Sequence, residues 1–199
     1  MGPPILGHDY LNLPVYAFHI VHKASGRQVL FDLGCRKDWR NLVAQTVDLL
    51  ENNWPGIKVE KNITETLSEG GVDFGKDGGI EAVILSHWHF DHIGDIASLP
   101  KAVDVVVGPT FRDVMMPGYP ANKSSSFHEA DFEGRNLFEV PFDAEIAVGK
   151  FQSYDYFGDG SLQLLNAPGH APGHICALIR TTPDTYVLLG SDTCHFVGM

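Results

Sequence analysis

In Ser86-His87-Trp88-His89-Phe90-Asp91-His92, three imidazoles and a carboxylate follow directly on the apolar run Ala82-Val83-Ile84-Leu85. Few arrangements of side chains serve so poorly as core and so well as a metal cradle. In an extended stretch the two-residue side-chain period puts His87 and His89 on one face. If the chain then turns into a helix, Asp91 and His92 converge from the other side. Such a donor set suits zinc or a similar borderline divalent ion. The cluster also constrains the fold, because a buried strand, residues 80–85, has to deliver it.

The rest of the composition narrows the setting. At 199 residues, 44% apolar and 20% charged, the chain is sized for a single domain over residues 1–199. Its formal charge of -11, with no cluster of Lys and Arg, is the wrong sign for gripping a phosphate backbone. A small neutral substrate is expected, and no nucleic acid. No apolar run approaches the roughly 20 residues of a membrane span, so no membrane association is expected. The first residues lack the basic and apolar regions of a signal peptide. Cys35, Cys176 and Cys194 are odd in number and form no CxxC pair. That favours reduced thiols and a cytoplasmic location.

Along the chain, residues 15–21 and 28–33 read as two strands joined by a tight turn at Ala24-Ser25-Gly26. Apolar residues between Trp39 and Trp54 recur near helical spacing, with Asp38 as N-cap and Pro55-Gly56 as the stop. A shorter helix is expected over 63–67, another over 91–99 ahead of Pro100, and a helical turn over 109–115. A strand is expected at 103–107. Residues 117–133 form the least structured stretch, read equally as a mobile lid or a disordered insertion. Short strands dominate from Leu137 onward. Strand pairs with interspersed helices predict two packed sheets with helices outside.

A second ligand-bearing loop lies in Asn166-Ala167-Pro168-Gly169-His170-Ala171-Pro172-Gly173-His174, between two strands. Either His170 or His174 can complete a three-imidazole site with His87 and His89. Downstream, Leu188-Leu189-Gly190-Ser191-Asp192-Thr193 repeats the pattern of a buried strand ending in an acid, which makes Asp192 a candidate bridging ligand.

The order His87-x-His89-x-Asp91-His92, then His170, then Asp192 resembles that of the metallo-β-lactamase-fold hydrolases, from about Leu11 to the end. Phe31-Asp32-Leu33-Gly34 matches that family's early Asp-x-Gly turn, whose acid supports the metal centre. Within the superfamily, Leu11-Asn12-Leu13-Pro14-Val15-Tyr16, the histidine cluster and Gly169-His170-Ala171-Pro172-Gly173-His174 look most like segments of N-acyl-homoserine lactone lactonases. The resemblance implies an α/β fold, an αββα sandwich of two mixed sheets flanked by helices, incomplete at its C-terminal end. It implies His87, His89 and His170 on a first metal, Asp91 and His92 on a second, and Asp192 between them, with His174 either supporting the ligands from behind or structural. Zinc is the expected metal, with manganese, iron or cobalt also suited to mixed His/carboxylate sites. The implied chemistry is opening of a lactone or ester by a metal-bridging hydroxide, with Asp91 carrying the proton to the leaving group.

Two positions depart from the family pattern. Where the lactonases carry a Tyr that hydrogen-bonds the substrate, three positions after the bridging Asp, this chain has His195. An imidazole can also donate there. The family's last metal-ligand His lies well beyond the bridging Asp, whereas this sequence stops seven residues after Asp192. A second site one protein ligand short is therefore expected, with an exposed sheet edge that favours a homodimer. The alternatives are a glyoxalase-II-like thioesterase with the same ligand set and a non-catalytic metal-binding fragment.

Overall fold

A computed structural model describes residues 13–54, 56–75 and 77–194. Two five-stranded sheets carry the fold. The first contains β1 (Phe18–Val21), β2 (Gln28–Phe31), β3 (Ile80–Ile84), β4 (Asp104–Val107) and β5 (Leu137–Glu139), side by side in that order. β1 and β2 form the expected antiparallel hairpin, and β2 to β5 run parallel. The second sheet, antiparallel throughout, contains β6 (Ala147–Val148), β7 (Phe151–Asp155), β8 (Leu162–Asn166), β9 (Ile175–Thr182) and β10 (Thr185–Leu189).

Parallel strands need crossovers, and these carry the helices. Between β2 and β3 lie α1 (Ala44–Asn53) and α2 (Ile63–Glu69); α3 (Phe90–Ile93) follows β3, and α4 (Phe111–Met115) and α5 (Glu129–Phe132) follow β4. Strand alternation divides the core in two. Leu30, Val83 and Val105 face the helices, packing with Leu50 of α1, Met115 of α4 and Phe132 of α5. Their neighbours Val29, Phe31, Ala82, Ile84 and Val106 face the second sheet and meet Leu162, Leu164, Ile175 and Ala177. Burying both faces of the first sheet explains why β3 and β4 read as nearly continuous apolar runs.

Among the described residues, helices pack on the first sheet only, and no helix is long and apolar enough to cross a membrane. Among the described residues, β1 and β10 are edge strands that carry exposed apolar side chains: Phe18 and Val21 on β1, and Tyr186, Val187 and Leu188 on β10.

Three local expectations are corrected. Asp38 does not cap α1, which starts at Ala44. Its carboxylate is taken by the Arg36 guanidinium at 2.8 and 2.9 Å, and a 3-10 turn over Trp39–Asn41 intervenes. The helix expected over 91–99 breaks at Gly94, giving α3 and a separate 3-10 turn over Ile96–Ser98. Gly94 adopts φ 50°, and a Cβ there would stand 2.4 Å from Cβ of Leu33. Residues 117–133 are packed down rather than lid-like: Ser125 and Phe127 are buried, and Gln45 of α1 donates to the Ser125 carbonyl at 2.9 Å.

Candidate metal centre

The parallel strands β2 and β3 end on the same side, the usual place for a site in a sheet of this kind. Beyond β3, Leu85 still donates to the Val106 carbonyl, and Ser86 accepts from the backbone of Ile175 at 2.9 Å, which ties the two sheets together. The chain stays extended through His89, at φ -76° and ψ 152°, and then makes the single turn α3. His87 and His89 therefore reach in from an extended segment and Asp91 and His92 from a helical one, as the spacing requires.

Two other loops meet them. The β8–β9 loop is closed by hydrogen bonds from Ala167 to the His174 carbonyl and from His174 to the Ala171 carbonyl, both 3.1 Å, and it presents His170. After β10 a 3-10 turn over Ser191–Thr193 presents Asp192.

The donor atoms fall into two groups that share Asp192. In the first, His89 Nδ1 lies 2.9 Å from both His87 Nε2 and His170 Nε2. Asp192 Oδ2 stands 3.2 Å from His170 Nε2 and 3.7 Å from His87 Nε2. In the second, His92 Nε2 lies 3.1 Å from Asp192 Oδ1 and 3.7 Å from Asp91 Oδ2.

Around a tetrahedral zinc with ligands at about 2.0–2.1 Å, neighbouring donor atoms stand about 3.3 Å apart. The observed separations bracket that value, and three imidazoles plus a carboxylate is a donor set that zinc takes. The residues present fit a divalent metal.

Electrostatics point the same way. Burial, reinforced by the surrounding imidazoles, pushes His87 far below the ordinary histidine range. Burial and then His170 lower His89. Neutral imidazoles are what a metal requires. His92 behaves oppositely: burial alone would lower it, but the hydrogen bond and charge of Asp32, with Asp91 and Asp192, raise it to about 9. The acidic surroundings of His92 thus favour positive charge at this point.

Asp32, at φ 60°, lies behind the donors and is buried. Its Oδ1 accepts from the Ser86 backbone at 2.7 Å, and its Oδ2 from the Ser86 hydroxyl and His92 Nδ1, both at 2.8 Å. His174 is fully buried; its Nδ1–H donates to the Ala167 carbonyl at 3.0 Å, and it belongs to neither donor group. His195 lies outside the described residues. Sequence reasoning gave no role to Ser86 or Ser191, although each directly precedes a ligand; Ser191 Oγ donates to Ser86 Oγ at 2.7 Å.

Asp192 is shared by two cavities. One, of about 520 Å³, is lined by Phe151, Pro168, Gly169, His170 and Asp192. The other, of about 380 Å³, is lined by Val15, Tyr16, Asp91, His92, Leu188 and Asp192.

Compared with known proteins, residues 20–190 match the metallo-beta-lactamase superfamily. A gamma-lactamase of Fusarium pseudograminearum is 43% identical over 204 residues, covering 98% of this chain and 49% of that protein. An N-acyl homoserine lactonase of Azorhizobium caulinodans is 28% identical over 196 residues, covering 95% of this chain and 68% of that protein. The chain spans about half the length of several curated relatives it matches. In fold it is similar to an N-acyl homoserine lactone hydrolase solved with N-hexanoyl-L-homoserine at its catalytic metal center, with a TM-score of 0.61 and 22% identity, covering 89% of this chain and 63% of that one.

Proposed function

The chain belongs to the metallo-β-lactamase superfamily, and from that premise we propose a metal-dependent hydrolase that opens a small lactone or ester. The observation that carries this reading is the convergence of His87, His89, His170, Asp91 and His92 in two donor groups around Asp192. His87 Nε2, His89 Nδ1, His170 Nε2 and Asp192 Oδ2 would hold one divalent ion. Asp91 Oδ2, His92 Nε2 and Asp192 Oδ1 would hold the other. When bound, such a pair supplies Lewis acidity toward an acyl carbonyl and an activated water near neutral pH.

The protein's own groups do the rest. Asp32 accepts the Nδ1–H of His92 and so turns Nε2 toward the site, where a bound divalent ion would take the place of the Nε2 proton. Asp91 is the least buried donor of its group, with a side chain 30% exposed. It is the group placed to take a proton from water and return it to the leaving oxygen. His195, three positions after Asp192, is proposed as a further donor to the substrate. The apolar walls formed by Val15, Tyr16 and Leu188 suit a neutral acyl substrate.

A second reading, hydrolysis of a γ-lactam, is favoured by the 43% identity to a gamma-lactamase. It uses the same groups, with nitrogen as the leaving atom. The test is turnover of a γ-lactone, an N-acyl-homoserine lactone, a linear ester and a γ-lactam by zinc-loaded protein, with and without chelator. Chelator-sensitive turnover of a lactone or ester supports the main reading; turnover of the lactam alone favours the second. Metal binding without turnover of any of the four would overturn both.

A further inference from the structure

We propose that Ser191 is a positioning residue: its hydroxyl, bonded to Ser86, registers the loop carrying Asp192 against the loop carrying His87 and His92. The inference rests on the hydrolase reading above and adds to it a residue that lies in neither donor group.

The direction of each proton follows from the end of the chain of bonds. Asp32 carries no donor, so the Ser86 hydroxyl must give its single proton to Asp32 Oδ2, at 2.8 Å. Ser86 Oγ is then an acceptor to every other neighbour. Its nearest such neighbours are the Ser191 hydroxyl at 2.7 Å and His87 Nδ1 at 3.0 Å, while His92 Nδ1, farther off at 3.4 Å, gives its proton to Asp32 at 2.8 Å. Its two lone pairs are filled by the nearer two, with Ser191 and the His87 Nδ1–H as donors. That arrangement leaves His87 Nε2 as the lone pair that faces His89 and Asp192. Ser86 is wholly buried, so water cannot take the place of a missing donor without rearrangement.

The backbone at Ser191 supports a role for its side chain. Ser191 sits at φ 46°, in the left-handed region where glycine is the residue without strain. A serine here keeps a hydroxyl at the expense of backbone comfort, a pattern that collects at functional sites. The position matters because Asp192, the next residue, must divide its two oxygens between the donor groups. One lies 3.1 Å from His92 Nε2 and the other 3.2 Å from His170 Nε2. A small rotation of the 3-10 turn would favour one group at the expense of the other. The Ser191–Ser86 bond joins this turn to the same hydroxyl that braces His87, so the two halves of the centre share one reference point.

The experiment measures zinc dissociation constants by competition with a chromogenic chelator. It uses the wild type, Ser191→Ala, Ser191→Gly, Ser86→Ala and the Ser86→Ala/Ser191→Ala double variant. Thermal melts of the metal-free proteins run alongside. Zinc affinity is expected to fall about 10–100-fold in both Ser191 variants, the usual size of such supporting contacts. The Ser191→Gly result decides between positioning and mere structure, because glycine relieves the backbone strain that alanine keeps, so a loss of zinc affinity common to both variants and out of proportion to their metal-free melts reports the missing hydroxyl. Adding Ser191→Ala to Ser86→Ala should cost no further affinity, since both act through one bond. Unchanged zinc binding in Ser191→Gly, or losses that add in the double variant, would overturn the assignment. A wild type that binds no zinc would instead remove the hydrolase reading, and this inference with it.

Discussion

Gly108 and Gly173 meet backbone to backbone: a Cβ added to Gly108 would stand 1.8 Å from the Gly173 carbonyl oxygen. Gly108 directly follows β4, and Gly173 lies in the loop that carries His170, so this contact seats the second sheet's ligand loop on the first sheet. Both partners are constrained, since Gly173 itself adopts φ 73°. Gly108→Ala must therefore push the His170 loop away or distort the end of β4. A loss of at least about 2 kcal/mol in urea unfolding is expected, in the range of overpacked cores, together with weakened metal binding. A variant as stable as the parent would mean that the loop seats elsewhere.

The sharing of Asp192 predicts an asymmetry in metal content. Asp192 belongs to both donor groups, whereas His170 belongs to one. Asp192→Ala should therefore retain less than one equivalent of zinc after dialysis, and His170→Ala should lose mainly one of two. Elemental analysis of the two purified variants reads this directly. Equal metal content in both would contradict a bridging carboxylate.

Asp32 offers a test of the support behind the ligands. Its buried carboxylate accepts three hydrogen bonds, from the Ser86 backbone, the Ser86 hydroxyl and His92. Asp32→Ala strands these donors in the interior, at a cost of about 3 kcal/mol in the metal-free protein. Zinc affinity should fall as well, because His92 loses the group that aims it. Chemical denaturation with and without zinc separates the two effects.

How much of this was legible in the sequence depended on the range of each interaction. The His87–His92 cluster announced itself because its ligands are local and its two periodicities, extended and then helical, are written in consecutive residues. The hairpin at Gly26 and the apolar strands β3 and β4 were legible for the same reason. The break at Gly94 was not, because it answers to Leu33, a residue distant in the chain but adjacent in space. Asp38 misled because a carboxylate before a helical pattern reads as a cap, while Arg36 claims it first. The choice between His170 and His174 stayed open to residue chemistry alone. The folded β8–β9 loop turns His170 toward His89 and buries His174 against the Ala167 carbonyl. Ser86 and Ser191 are silent in the sequence, because a serine beside a ligand carries no signal until the fold sets the two hydroxyls 2.7 Å apart.

The Arg36–Asp38 pair gives a pH prediction away from the metal centre. The Arg36 guanidinium, helped by Asn41, holds the Asp38 carboxyl at about 2, below its ordinary 3.8. A depressed folded-state pKa means that the stabilisation is fully present above the unfolded value and is lost as pH falls through the folded one. The contribution should therefore be constant above about pH 5 and disappear between 3.8 and about 2. The side chain is 39% exposed, so solvent screening keeps the effect small. Urea midpoints of the parent and Asp38→Asn, measured across that window, isolate it, because the other carboxylates titrate in both proteins and cancel in the difference. The parent should be the more stable at neutral pH, and its advantage should shrink steadily on acidification. A gap that stays constant to the acid end would show that Arg36 does not hold this carboxylate in solution.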